Sequence, residues 1–171
     1  MKLKTETSSR DAAARTLVVG LGNPILGDDG VGWRIAERLT ALLPDATLNT
    51  AAVDIECLAV GGLSLMEHLI GYDQVILVDA ITTGKAPQGD VYVFPLEDLP
   101  NRAIGHFSSA HDTTIQNALQ VGRSMGAHLP QKITIVAVEA VNIYEFSEEL
   151  TPPIAAAVSV AVQKVLELLQ E

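Results

Sequence analysis

Residues 16–32 read TLVVGLGNPILGDDGVG, and their order decides the fold. Thr16–Gly20 is a short apolar run that ends in glycines, the pattern of a buried strand. The loop that follows closes on Asp28-Asp29-Gly30, and beyond it apolar residues fall at Val31, Ile35, Leu39 and Leu42. That spacing is a helical stripe, and Pro44 ends it. Strand, glycine loop and helix in this order open an α/β unit.

The same alternation continues outward. Thr47–Val53 is expected as a second strand and Leu63–Ile70 as a short helix with Leu63, Met66 and Ile70 on one side. Val75–Val78 runs into Asp79 and is the clearest buried strand of the chain; Val91 and Val93 mark another. Asp112–Met125 carries Ile115, Ala118, Leu119 and Gly122 on one helical face, and Lys132–Val138 is a strand. Thr151 followed by two prolines starts the last helix, whose stripe is Ile154, Val158, Ala161, Val165 and Leu168. The expected fold is a three-layer α/β sandwich: a mostly parallel, twisted sheet of about five strands with about four helices on both faces. Residues 1–15 are expected as a flexible tail and 16–171 as a single domain. The stretch 95–111 shows no periodicity, which marks a lid or docking surface.

Composition narrows the function. The 171 residues are 48% hydrophobic and 19% charged, which is globular composition. Eleven basic residues against twenty-one acidic ones give a net charge of −10, which argues against nucleic acid or an anionic membrane as partner. The single cysteine, Cys57, excludes an internal disulfide and fits a reducing, cytoplasmic setting. The first residues lack the apolar core of a secretory signal, and no stretch is apolar for long enough to span a membrane.

Several residues carry potential chemistry. A dinucleotide loop fails on spacing, because Ile25 stands where the third glycine belongs and two aspartates occupy the phosphate position. Asp28 and Asp29 fit helix capping, and one of them is expected to cap; a second acid between glycines exceeds what a cap needs. Asp79 ends a buried strand, where an aspartate is paired or binds something. Both motifs follow strands and open on the carboxyl edge of the sheet, where α/β folds gather ligands. His111, just before a helix, can be aimed at that edge; His106 is the weaker rival, and His68 and His128 have ordinary surroundings. Two carboxylates and an imidazole form an incomplete oxygen and nitrogen set that suits a borderline divalent ion such as Ni²⁺ or Zn²⁺. Cys57 sits among acids that raise its pKa, and no G-x-S-x-G elbow is present.

Together GLGNPILGDDGVG, VILVDAI and Ser109-Ala-His111 resemble the hydrogenase maturation endopeptidases over nearly the whole domain. Between the first two motifs this chain reads Val60-Gly61-Gly62-Leu63 where that family often has a Gly-Gly-Thr turn. The resemblance implies a peptidase that removes the C-terminal peptide of a [NiFe] hydrogenase large-subunit precursor once nickel has been inserted. It implies nickel, carried by the precursor, as the metal. Asp29, Asp79 and His111 would be its contacts, with Asp29 and Asp79 catalytic and Asp28, Gly22, Asn23 and Ser109 as supporting neighbours. Two routes stay open: the metal acts as Lewis acid, or a carboxylate serves as general base. Two other readings stay open with it. Gly-Leu-Gly-Asn-Pro also begins the peptidyl-tRNA hydrolases, and an acidic nickel-sensing chaperone of the immature subunit could use the same residues.

Overall fold

The computed structural model describes residues 14–43, 52–99 and 114–171. In chain order the strands are β1 (Arg15–Leu21), β2 (Ala52–Leu58), β3 (Gln74–Ile81), β4 (Val91–Pro95) and β5 (Lys132–Glu139). The helices are α1 (Val31–Leu42), α2 (Gly62–His68), α3 (Ile115–Ser124) and α4 (Pro152–Leu168). The sheet order is β2-β1-β3-β5-β4, with every pairing parallel except β4 against β5. The expected α/β sandwich with five strands and four helices is the fold found.

Hydrophobic alternation explains the layers. Successive strand residues point to opposite faces, and here both faces are apolar on the three central strands. Leu17, Val19 and Leu21 of β1 share one cluster with Leu77 of β3, Ile135 of β5, Leu65 of α2 and Leu119 of α3. Val18, Val78 and Val136 join the other cluster with Ile35 of α1 and Ala161 of α4. Each fully buried Leu, Ile or Val contributes roughly 1.5–3 kcal/mol relative to exposure. Charged Asp54 and Glu56 interrupt β2, and β4 is only half-buried, so these two form the edges.

Several boundaries differ from the sequence reading. The second strand, expected over 47–53, starts at Ala52 and runs to Leu58; residues 44–51 lie outside the described residues. β1 takes in Arg15, one residue before the expected domain boundary. Arg15 is fixed there because its amide donates to Asp73 and its guanidinium reaches Asp54. The stretch 95–111 is not irregular from its first residue: Pro95 ends β4 and Leu96–Asp98 form a 3₁₀ turn that buries Leu96. The remainder of that expected lid, residues 100–111, lies outside the described residues. Among the described residues no helix is long and apolar enough to cross a membrane.

Candidate functional site

The carboxyl edge of the sheet is built on the glycine loop after β1. Gly22 has φ +132°, accepts no side chain, and its amide donates to the Leu58 carbonyl at the end of β2. A Cβ there would overlap the carbonyl oxygen of Asp29, so the loop folds back over the following 3₁₀ turn only because residue 22 is glycine. Gly32 does the same for the helix. It lies against the carbonyl oxygens of Leu21 and Val78, where any side chain would collide. The start of α1 is thereby pressed onto the ends of β1 and β3, and the turn Gly27–Gly30 touches β3.

This packing buries Asp28, Asp29 and Asp79. Asp29 accepts the Asn23 amide at 2.7 Å, which closes the loop from Asn23 to the turn. Asp79 sits on β3 in alternation with Leu77 and Ile81, and its Oδ1 accepts the Ala80 amide at 2.8 Å. The turn that carries Asp29 thus lies against β3, the strand that carries Asp79.

Gly30, the N-cap of α1, has no side chain with which to cap that helix. Asp28 instead reaches the start of α4, accepting the Thr151 amide at 2.7 Å and the Thr151 hydroxyl at 2.9 Å. Thr151 accordingly makes no capping bond of its own. A carboxylate here gains from the positive end of α4, but the helix it serves is distant in sequence.

His111, Ser109 and the rival His106 lie outside the described residues. Among the described residues, no group of three or more metal-ligating side chains gathers. His68 and His128 pair with Glu56 at 2.9 Å and Asp73 at 3.0 Å respectively. Burial pushes the Cys57 thiol up, and the Glu37 carboxylate of α1, rather than its sequence neighbours, adds to the shift. A thiol held protonated is a poor nucleophile.

Sequence reading missed Glu139. It ends β5 opposite Ile81 and is buried. Its carboxylate accepts the Thr83 amide at 2.8 Å, the Thr83 hydroxyl at 2.7 Å, the Gly84 amide at 2.9 Å and the Tyr92 hydroxyl at 3.2 Å. Desolvation is the largest single influence and raises its pKa, yet the bonds from Thr83, Gly84 and Tyr92 together outweigh it and hold the group below its ordinary value. Glu139 pins the segment that leaves the site after Asp79. A charged residue closing the otherwise apolar run of β5 was the signal available.

Comparison with known proteins identifies relatives of the chain. Residues 34–168 match the model of the family described as hydrogenase maturation protease. The hydrogenase 2 maturation protease of Escherichia coli K12 is 31% identical over 159 residues, covering 92% of each chain. The hydrogenase expression/formation protein HupD of Rhizobium leguminosarum bv. viciae is 27% identical, covering 92% of this chain and 75% of its own. The solved structure of the hydrogenase maturating endopeptidase HybD from E. coli superposes with a TM-score of 0.71 at 29% identity, covering 91% of this chain and 92% of that one.

Proposed function

The chain belongs to the hydrogenase maturation protease family, and from that premise we propose that it removes the C-terminal peptide of a [NiFe] hydrogenase large-subunit precursor after nickel insertion. The observation that carries the proposal is the pair of buried carboxylates, Asp29 and Asp79, held at adjoining strand ends on the carboxyl edge of the sheet.

Nickel arrives as part of the substrate, held by the precursor. Asp29, Asp79 and His111 complete its coordination on docking, which fixes the scissile bond beside the carboxylates and a water. Hydrolysis adds water to the peptide carbonyl, and the departing amine takes up a proton. Either the metal polarises carbonyl or water, or one carboxylate takes the water's proton while the metal orients the chain. A precursor without nickel lacks the contact that positions its peptide, so cleavage follows metal insertion. We place this step in the cytoplasm, in keeping with a chain that carries a single cysteine.

The test is incubation of the purified protein with a nickel-loaded precursor and mass measurement of the product. Loss of a C-terminal peptide, blocked in Asp79→Asn, supports the proposal. Stable binding with an uncut precursor would make the protein a chaperone instead.

A further inference from the structure

The loop between β5 and α4 displays what most surfaces hide. Tyr144 is 74% exposed and Phe146 is 83% exposed, and Val141 beside them is also exposed. With few aromatic residues in the chain, two on one loop is a concentrated expense of apolar surface. Ile25, exposed on the glycine loop itself, joins them through the backbone. The Ser147 amide donates to the Ile25 carbonyl at 3.1 Å, and the Gly27 amide donates to the Ser147 carbonyl at 2.7 Å. The Asp28 amide donates to the Asn142 carbonyl at 3.3 Å, and the Asp28 carboxylate holds Thr151. The aromatics therefore stand on a segment tied directly to the turn that carries Asp29. Phe146 also borders a pocket of about 260 Å³ with Asp28, Asn142, Glu145 and Thr151.

We propose that this loop is a docking surface for the protein substrate, and that it takes a segment of the precursor in which apolar and basic side chains alternate; this rests on the function proposed above. Charge complementarity identifies the occupant. Glu145 stands between the two aromatics and Glu148 follows them, while the adjacent cation, Arg34, is already engaged by Glu37 and by the Glu148 carbonyl. The surface offered is aromatic and negative, on a chain of net charge −10. Exposed aromatics supply rigid anchors, and the carboxylates steer and orient a cationic partner. Because the loop is bonded to the Asp29 turn, a segment bound here is delivered to the carboxylates in a fixed register.

The experiment compares Tyr144→Ser/Phe146→Ser, Glu145→Lys/Glu148→Lys and, as a control on exposed apolar residues in and just after α3, Val121→Ser/Met125→Ser. Processing kinetics on nickel-loaded precursor are measured together with precursor binding to the uncleaving Asp79→Asn protein. Both loop pairs should raise KM about tenfold and weaken binding alike, with kcat within about twofold; the control should change neither. The charge pair tests the idea even if the aromatic pair folds poorly. Unchanged KM and binding in the loop variants, while the wild type cuts its precursor, overturns the docking surface and leaves the proposed function standing. Loss of self-association by the aromatic pair without a change in KM also overturns it, because the occupant is then a second copy. A wild type that neither binds nor cuts the precursor overturns the functional reading first.

Discussion

Asp28 and Asp29 are neighbours in the chain, yet the 3₁₀ turn gives them different partners. Asp28 accepts both the amide and the hydroxyl of Thr151 and so fastens α4 to the glycine loop. Asp29 accepts the Asn23 amide, and Asp79 the Ala80 amide, each on the sheet's carboxyl edge. Asp28→Ala strips two part-buried donors of their acceptor and is expected to cost about 1–3 kcal/mol in all. Asp79→Asn keeps an oxygen for Ala80 while removing a buried charge, so its Tm is expected unchanged or raised, with processing abolished. Thermal melts and cleavage assays on Asp28→Ala, Asp29→Asn and Asp79→Asn, run side by side, check this. A dead but stable Asp28→Ala beside an active Asp79→Asn would show the roles to be reversed. Asp29 and Asp79 stood out as candidates in the sequence, because an acid between glycines and an acid closing an apolar run are locally visible. The partner of Asp28 was not legible, because Thr151 lies far along the chain.

At the level of elements, two devices hold the site edge in shape. The first is the backbone fold-back at Gly22, where a side chain would overlap the Asp29 carbonyl. Gly22→Ala is expected to destabilise by at least about 2 kcal/mol and to lose processing with it, measured by denaturant unfolding and cleavage. The second is Glu139, which gathers the start of the β3–β4 connection. Its folded pKa lies below its ordinary value, so it contributes stability that is present above the unfolded carboxyl pKa. That contribution is lost as pH falls through the lowered folded value. Glu139→Gln is therefore expected to lower Tm at neutral pH by the equivalent of about 2 kcal/mol, with the gap to wild type narrowing as the solution is acidified below about pH 4.5. A gap that widens with acid would refute the assignment. None of Glu139's partners was legible beforehand, since Thr83, Gly84 and Tyr92 come together with it only through the β3–β5 and β4–β5 pairings.

Across the whole molecule, the sheet acts as a frame that brings distant acids to one edge. Alternating strands and helices were legible from apolar runs, and the half-polar run of β2 marks one margin of the sheet, while β4 is apolar in sequence and shows itself an edge only by its partial burial. The order β2-β1-β3-β5-β4 and the reversed direction of β4 were not, because apolar runs of similar composition do not encode their neighbours. What the frame achieves is a peptidase fold with Asp29 and Asp79 on its carboxyl edge and an aromatic, negative loop beside them. The central claim is that the precursor's own nickel licenses the cut. One measurement addresses it most directly: the same precursor, nickel-loaded and nickel-free, is incubated with the wild-type protein and the C-terminal masses are compared. The account predicts loss of the C-terminal peptide from the nickel-loaded precursor alone; equal cleavage of the nickel-free form would contradict it.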